Sequence, residues 1–339
     1  MKEPQNILIV QTAFIGDVIL ITPLIRAVAE LYPQAKIDVM VVSEAVKLLE
    51  NNPYVNEVIV DDKRKNILLS TLQLIRKNRI KNYDLAISPH SSFRTHLILY
   101  LSKIPERIGF NRGSAKWMLT KRIEHPVGPH KIVKNLGLLK PLSDREFDLQ
   151  TELFPSDKDK QKAEILLQPL SGKTIIAVAP GSIWQTKCWL LKSYITLCNK
   201  LIDSSYGIVL IGGESDKLLC AEIEDAIGKD NANLINLAGV TNLLESAAVI
   251  KKCSLMICND SGAMHIANAM QIRVFAFFGP TVQRFGYYPY RQGDRVFEVD
   301  LECRPCGSHG SKKCPQKHHN CMQKIEVEPV FAAVKSTLG

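Results

Sequence analysis

The sequence predicts an α/β protein built from two doubly wound, Rossmann-like domains with a cleft between them. Short apolar runs alternate with segments of helical periodicity along the chain, which is typical of a parallel sheet covered by helices on both faces. The alternation weakens once, between about Leu139 and Gly172, and then restarts. A length of 339 residues also exceeds the usual size of one domain, so two domains are expected.

The first half begins with the strand NILIV and continues as a repeated strand–helix pattern. The apolar runs are short and rich in Val and Ile, whereas the segments between them space their apolar residues as a helix does. The predicted strands cover residues 6–10, 37–42, 57–60 and 84–89, and the predicted helices cover 18–31, 66–80 and 94–102.

Pro141, Pro155 and Pro169 interrupt the pattern around a charged segment, and we place the domain boundary in this region. The first domain is expected at residues 1–168 and the second at 169–325. A terminal helix within 326–339 is expected to pack back on the first domain. The second domain has predicted strands at 174–180, 207–213, 234–239, 254–260 and 274–279 and predicted helices at 190–204 and 216–227.

The surplus of positive charge is confined to the first part of the chain. Residues 1–140 hold 21 Lys and Arg against 12 Asp and Glu, whereas the remainder balances at 22 against 22. This asymmetry favours a phosphorylated, carboxylated or membrane-surface partner for the first domain, although a solvated basic helix face is the alternative. The densest run comprises Lys63, Arg64, Lys65, Arg76, Lys77, Arg79 and Lys81.

The segment NDSGAMHIANAM places a helix N-terminus directly after a buried strand. The amide N–H groups of Ser261, Gly262 and Ala263 and the positive end of the helix dipole form a site suited to phosphate. The alternative is a capped helix with Asp260 or Ser261 as its N-cap and no ligand. His265 is either a catalytic assistant or a packed core residue.

Two further strand ends carry polar groups suited to a nucleotide. After TIIAVAP, a glycine turn leads to Ser182, Thr186 and Lys187, which offer hydroxyls and an ammonium to a diphosphate. After GIVLIGG, Gly212 and Glu214 stand at a strand end, where an acidic residue holds ribose hydroxyls. Neither segment matches G-x-G-x-x-G or a Walker A loop, so a nicotinamide or P-loop site is not predicted.

Asp17 follows the first strand at a strand-to-helix turn. Its carboxylate is a candidate general base, and the alternative is a helix N-cap. Arg94, Arg107 and Arg112 are candidates for binding the phosphate or carboxylate groups of an anionic substrate, because a guanidinium binds both bidentately. The alternative is that they are ordinary surface arginines.

The tail holds Cys303, Cys306, Cys314 and Cys321. This spacing suits zinc, but it does not reproduce a common zinc-finger pattern, so packed thiols or a disulfide are the favoured interpretation. The other five cysteines lie in apparent core segments, as expected of reduced thiols. No apolar run approaches the length of a membrane span and the N-terminus lacks a signal-peptide layout, so a cytoplasmic protein is expected.

Five segments together resemble the bacterial ADP-heptose:lipopolysaccharide heptosyltransferases of glycosyltransferase family 9. In chain order they are IGDVILITPLIRAV, APGSIWQTKCW, GGESD, NDSGAMHIANAM and VFAFFGPT. The similarity spans nearly the whole chain, and the NDSG and FGPT blocks are its most specific parts. Residues 91–110 and the cysteine-containing tail resemble the heptosyltransferase II branch.

The resemblance implies a GT-B fold, with an anionic glycolipid acceptor at the inner membrane bound by the first domain and ADP-heptose bound by the second. It implies a monomer that transfers heptose with inversion and without metal or cofactor. Asp17 would be the base. Ser182, Lys187 and the 261–263 amides would stabilise the departing ADP, Asp260 would hold a sugar hydroxyl, and His265 would assist.

Three alternatives remain at this stage. A family 9 enzyme could use another nucleotide sugar in surface-polysaccharide assembly. An epimerase of the same architecture would need no acceptor. A zinc-bearing nucleic-acid-binding protein would account for the basic half and the Cys/His tail, but it leaves the phosphate-suited strand ends unexplained.

Overall fold

The computed structural model describes residues 3–62 and 67–339, and the chain divides into two compact units, Met1–Phe154 and Pro155–Gly339. The predicted basic positions Lys63, Arg64 and Lys65 lie outside the described residues. In the part of the chain that the structure describes, every helix is too short or too polar to cross a membrane.

In the described part of the first unit, six parallel strands form one sheet in the order β3-β2-β1-β4-β5-β6. Helices connect the strands, as parallel pairing requires. The elements are β1 (Asn6–Gln11), α1 (Ile15–Ile19), α2 (Thr22–Leu31), β2 (Lys36–Val41), β3 (Glu57–Val60), α3 (Ile67–Lys81), β4 (Leu85–Ser88), α4 (Phe93–Leu101), β5 (Glu106–Phe110), β6 (Lys121–Ile123) and α5 (Lys131–Leu136).

Residues 155–339, all of which are described, form a second six-stranded parallel sheet in the order β9-β8-β7-β10-β11-β12. The elements are α6 (Asp157–Leu167), β7 (Ile175–Ala179), α7 (Leu191–Asp203), β8 (Gly207–Leu210), α8 (Lys217–Ile227), β9 (Leu234–Asn236), α9 (Leu243–Lys251), β10 (Leu255–Asn259), α10 (Gly262–Ala269), β11 (Val274–Phe278), β12 (Arg295–Glu298), α11 (Asn320–Gln323) and α12 (Val327–Leu338).

Both sheets have the doubly wound strand order 3-2-1-4-5-6 when strands are numbered within each unit, which confirms the predicted fold class. In this order the chain reverses its direction of travel across the sheet between the first and fourth strands. Ligands of doubly wound sheets bind at the carboxyl ends of those two strands. The expected site positions are therefore the ends of β1 and β4 in the first unit and of β7 and β10 in the second.

The central strands are apolar because both faces of each sheet are covered. All five residues of β7, β10 and β11 are buried, and so are five of the six residues of β1. Strands buried on both faces read as continuous apolar runs. This is why the sequence predicted the central strands.

Three strands, β5, β6 and β12, were not predicted from the sequence. Their segments ERIGF, KRI and RVFE carry charged residues, and β6 and β12 stand at the edges of their sheets with no fully buried position. An edge strand does not need an apolar run, because one of its sides faces solvent.

The division between the units falls at Phe154, 14 residues before the boundary placed from the sequence. The reason is α6, which packs along α9 of the second unit. Lys162 of α6 pairs with Glu245 at 2.8 Å, and Lys252 pairs with Glu164 at 2.7 Å. The prolines that suggested the boundary are thus spread on both sides of it.

The terminal helix α12 belongs to the second unit, and its packing within that unit is well defined. Val330, Ala333 and Val334 are buried in the core of the second unit, and α12 packs on α7. Lys200 of α7 pairs with Glu328 at 3.0 Å on the exposed side of this contact.

Replacing Val330 with Ala should lower the free energy of unfolding by about 1–3 kcal/mol, because it leaves a cavity in the core of the second unit. Urea unfolding followed by circular dichroism measures the change. Glu328→Ala is the matched control on the same helix, since its ion pair is exposed and worth at most about 1 kcal/mol. Equal effects of the two substitutions would contradict the burial of this helix face.

Candidate functional site at the strand ends of the second unit

Asn259 joins the carboxyl ends of β7 and β10. Its Oδ1 accepts hydrogen bonds from the Trp189 amide at 2.9 Å and the Tyr194 hydroxyl at 3.0 Å, and its Nδ2 donates to the Pro180 carbonyl at 2.7 Å. Asn259 is fully buried, so these bonds are made in a region without competing water. The turn after β7 and the turn after β10 are therefore held side by side.

Lys187 and Asp260 form an ion pair across these two turns. Lys187 Nζ lies 2.6 Å from Asp260 Oδ2, both side chains are largely buried, and the Thr281 hydroxyl donates to the same oxygen at 2.7 Å. The two residues come from the two turns that the sequence singled out. The predicted sugar-binding carboxylate is thus also the counter-ion of the predicted phosphate-binding lysine.

The N-terminus of α10 has no side-chain cap. Ser261 occupies the N-cap position in an extended conformation, but its hydroxyl makes no capping bond. Within the described residues, Ser261 Oγ is buried and has no hydrogen-bond partner. An unpaired buried hydroxyl beside uncapped amides is unfavourable unless a ligand supplies the acceptor. The capped-helix alternative for this turn is therefore not what the structure shows.

The remaining predicted residues of this helix lie in its first turn. Gly262 and Ala263 follow the N-cap, and their amides are among the N–H groups that no intrahelical carbonyl accepts. His265 is buried, in agreement with the packed-residue interpretation. Its position in the first turn also keeps it beside the candidate anion site.

Two glycines bring the turn after β7 against the turn after β8. A Cβ atom on Gly181 or on Gly212 would overlap the side chain of Asp216. Asp216 in turn accepts a hydrogen bond from the Gly213 amide at 2.9 Å. The GGESD segment thus contributes Asp216 to the packing, whereas Glu214 is exposed and paired with Lys217 at 2.8 Å.

Thr186, a predicted donor-binding residue, holds the tail of the chain. Its hydroxyl donates to the Ser311 carbonyl at 2.8 Å and accepts from the Ser311 amide at 2.9 Å. The Thr186 carbonyl lies 2.9 Å from His319 Nε2. Ser182 is only partly buried, and its hydroxyl lies 3.4 Å from the Trp184 amide.

Arg304 is a positioning residue that the sequence reasoning missed. Its guanidinium donates to the carbonyls of Phe278 at 3.1 Å and Thr281 at 2.9 Å, as well as to those of Gly279 and Val299, and it pairs with Glu298 at 2.7 Å. These bonds shape the turn after β11. That turn carries the hydroxyl of Thr281 to Asp260.

The four tail cysteines are free thiols in one neighbourhood, since each of Cys303, Cys306 and Cys314 contributes to the electrostatics of Cys321. In the described residues, no group of three or more His, Cys, Asp or Glu side chains is arranged to hold a metal ion. Burial raises the pKa of Cys321 to about 11. The pKa of Cys314 is lowered, because amides of residues 316–319 outweigh its desolvation.

In the first unit, the corresponding strand ends carry a hydroxyl–imidazole group. The Thr12 hydroxyl, after β1, lies 3.0 Å from Nδ1 of His90, after β4, and the Thr95 hydroxyl lies 3.3 Å from the same nitrogen. Asp17 is half-buried in the first turn of α1. The N-cap of α1 is Phe14, so Asp17 is not the N-cap that the alternative interpretation required.

A cationic cluster lies close to Asp17. Lys131 and Lys134 of α5 have buried side chains, and desolvation lowers the pKa of both. The Asp17 carboxylate opposes that effect at Lys131, whereas the charge of Arg112 adds to it at both lysines. The cluster carries more positive than negative charge and is partly shielded from water. A bound anion would therefore stabilise the charged form of its lysines.

His125 completes this cluster. Its ring packs edge-on against Phe110 at 4.8 Å, and Arg112 Nη1 lies 3.3 Å from its Nε2. Burial, together with the charges of Arg112, Lys131 and Lys134, lowers the pKa of His125 to about 4. The imidazole is therefore neutral at pH 7. Arg112 itself is exposed, as its predicted acceptor-binding role requires.

Arg94 and Arg107, the other two predicted acceptor-binding arginines, have partners within the first unit. Arg94 Nη1 binds both oxygens of the buried Asp61, at 2.6 and 2.7 Å, and its other nitrogens bind Thr71 and Ser70. Arg107 donates to the carbonyls of Met118 and Ile104. Both guanidinium groups are therefore already occupied by partners within the unit.

Comparison with known proteins connects this geometry with a family. The model of "Glycosyltransferase family 9 (heptosyltransferase)" matches residues 71–317. Lipopolysaccharide heptosyltransferase 3 of Escherichia coli K12 is 30% identical over 343 residues, covering 95% of each chain. Lipooligosaccharide heptosyltransferase 2 of Campylobacter jejuni is 26% identical over 324 residues, covering 95% of this chain and 96% of that protein.

Solved structures are also similar to this chain. ADP-heptose LPS heptosyltransferase II of E. coli superposes with a TM-score of 0.81 at 27% identity, covering 98% of each chain. A family 9 glycosyltransferase from Veillonella parvula superposes with a TM-score of 0.83, and its 21% identity supports the fold alone.

The two doubly wound units, with an uncapped helix and a lysine at the ligand-binding edge of the second, define a glycosyltransferase of the GT-B class. The family model spans well over half of the chain, from α3 into the tail. The chain belongs to glycosyltransferase family 9. This membership favours the glycosyltransferase interpretation over the nucleic-acid-binding alternative.

Iodoacetamide at neutral pH should alkylate Cys314 before Cys306 and Cys321. The thiolate is the reacting form, and the pKa of Cys314 is lowered whereas those of Cys306 and Cys321 are raised. Peptide mass spectrometry over a time course measures the order of alkylation. Raising the pH should narrow the difference between the alkylation rates of these cysteines. Faster labelling of Cys321 would contradict the described environment of these thiols.

Proposed function

We propose that this enzyme transfers heptose from ADP-heptose to the inner core of lipopolysaccharide, with inversion at the anomeric carbon. Membership of family 9 and the names of the relatives, heptosyltransferases 2 and 3, support the proposal. The structural observation that carries it is the buried, unpartnered hydroxyl of Ser261 at an uncapped helix N-terminus, next in sequence to the ion pair of Asp260 with Lys187.

The second unit is proposed to bind the donor. The amides at the start of α10 and the Ser261 hydroxyl would hold the diphosphate, which needs several donors and a positive potential. Lys187 would exchange its partner Asp260 for a phosphate oxygen, and Asp260 would then be available to a sugar hydroxyl. Asp260 still receives the Thr281 hydroxyl, so it keeps one partner during this exchange.

The chemistry proposed is a direct displacement. An acceptor hydroxyl forms the new bond to the anomeric carbon while the bond to the β-phosphate oxygen breaks, and ADP leaves with that electron pair. Asp17 takes the proton from the attacking hydroxyl. Lys187 and the α10 amides stabilise the charge that grows on the phosphate, where such groups contribute most to the rate.

The first unit is proposed to bind the anionic acceptor. Arg112, Lys131 and Lys134 supply positive charge near Asp17, and His125 remains neutral and available for hydrogen bonding. Acid groups of an inner-core sugar or its phosphates would satisfy this cluster and bring a hydroxyl toward the base.

The enzyme is proposed to act as a monomer at the cytoplasmic face of the inner membrane, bound peripherally. The positive surplus of residues 1–140 supports this location, because the cytoplasmic membrane surface carries anionic lipids. The acceptor's lipid anchor would place the reaction at the same surface.

A donor panel tests the proposal against its closest alternative, a family 9 enzyme for another nucleotide sugar. Purified protein is incubated with truncated lipopolysaccharide and, separately, ADP-heptose, ADP-hexoses and UDP-hexoses, and the lipid product is analysed by mass spectrometry. Heptose addition from ADP-heptose alone is expected. Faster transfer from a hexose donor would overturn the assignment of the sugar, and sugar conversion without acceptor would indicate an epimerase.

Replacing Asp17 with Asn should lower kcat by about 100-fold or more while leaving the KM for ADP-heptose nearly unchanged, since it removes a base without changing side-chain size. Initial rates of ADP release in the presence of acceptor measure this. Asp144→Asn, on an exposed position of the same unit, is the control and should retain full activity. An undiminished rate in Asp17→Asn would show that another group accepts the proton.

Replacing Ser261 with Ala should leave the free energy of unfolding unchanged or raise it by up to about 1 kcal/mol, because a buried hydroxyl without a partner is removed. ADP affinity should nevertheless fall about tenfold, the loss of one hydrogen bond to a charged group. Urea unfolding and titration calorimetry measure the two quantities, with the exposed Ser254→Ala as control. Unchanged ADP affinity would mean that this hydroxyl does not contact the nucleotide.

A further inference from the structure

Helix α3 exposes a broad apolar face to solvent. Leu68 is 73% exposed, Leu72 63% and Ile80 76%, and Leu69 is also exposed. Leu74, Ile75 and Asn78 are buried and hold the helix against the first unit. Exposed large apolar side chains that are gathered on one face require an explanation, whereas scattered ones do not.

The helix geometry places these residues together with two arginines. At 3.6 residues per turn, the exposed residues fall within an arc of about 120°. We name this surface the α3 outer face, and its members are Leu68, Leu69, Leu72, Arg76, Arg79 and Ile80. In the second unit, by contrast, the exposed Ile165, Ile183 and Leu218 lie on three separate segments.

The charges of α3 are sorted between its two sides. No acidic residue occurs in the helix. Lys77 and Lys81 pair with Glu57 at the start of the neighbouring strand β3, and Lys81 also pairs with Asp38 of β2, so two carboxylates balance the two lysines on that side. Arg76 and Arg79 belong to the α3 outer face and lie among its apolar residues.

Two exposed aromatic side chains lie near the point where α3 meets α4. Arg79 Nε donates to the carbonyl of Leu101 at 2.9 Å, which fixes α3 to the end of α4. Tyr100 and Trp117 are exposed there and contact each other edge-on at 5.6 Å. Trp and Tyr are enriched where proteins meet the headgroup region of a bilayer.

We propose that the α3 outer face docks on an anionic lipid bilayer, with Leu68, Leu72 and Ile80 inserted among the acyl chains and Arg76 and Arg79 at the headgroups. A helix face that carries exposed leucines together with arginines binds such a surface through buried apolar area and charge attraction. The positive surplus of residues 1–140 complements anionic lipid. In a symmetric dimer formed through this face, the arginines of the two copies would instead repel each other.

The proposal concerns lipid binding, which needs neither donor nor acceptor, so its test is independent of the proposed reaction. The full-length protein is sedimented with vesicles of phosphatidylethanolamine and phosphatidylglycerol, and with vesicles of phosphatidylcholine alone. The test variant is Leu68→Gln with Leu72→Gln, which keeps good helix formers at exposed positions. Ile165→Gln with Leu218→Gln is the matched control, because those residues are equally exposed in the second unit.

Wild type and control should bind the anionic vesicles, and the Leu68/Leu72 variant should bind them at least about tenfold more weakly. Arg76→Gln should weaken binding and reduce its dependence on salt, since it removes one screened charge interaction. Circular dichroism establishes that the variants are folded. Equal binding of the test and control variants, equal binding to phosphatidylcholine, or a wild-type dimer that the leucine substitutions dissociate would each overturn the proposal.

Discussion

The carboxamide of Asn259 is the constraint on which the second unit's site depends. It is buried at the last position of β10, and it spans to the turn after β7 by donating to one backbone carbonyl and accepting from an amide and a tyrosine hydroxyl. Because β7 and β10 flank the point where the winding of the sheet reverses, this single side chain sets the width of the ligand edge. Lys187 and Asp260 reach each other only when that width is kept.

The two units share one topology but differ in what stands at the corresponding strand ends. In the second unit, backbone amides provide the positive potential, and the one nearby lysine is matched by a carboxylate. In the first unit, lysine and arginine side chains provide it and exceed the nearby carboxylate. Amides suit a diphosphate of fixed shape, whereas long side chains adapt to a bulky glycolipid.

The sequence predicted what depends on local pattern: the buried central strands, the turns after β7 and β10, and the placement of Lys187 and Ser261 at one edge. The sequence did not reveal which side chains have partners far away along the chain. Arg94 resembled a ligand-binding arginine, because nothing local shows that Asp61 occupies it. Arg304 gave no signal at all, since its partners are mostly backbone carbonyls, which every sequence has. Charged edge strands lacked the apolar run that marks a strand.

The bonds between Thr186 and Ser311 join segments that are 125 residues apart in the chain. A Cβ on Gly310 would press on both Trp184 and Lys187, so the tail lies directly on the lysine-bearing turn. Protein engineers who shorten this chain from its C-terminus should therefore keep everything through α12, whose buried face anchors the tail. The same contact makes the cysteine-rich loop a natural place for a reporter group, because a dye there would sense the occupancy of the proposed nucleotide site without touching it.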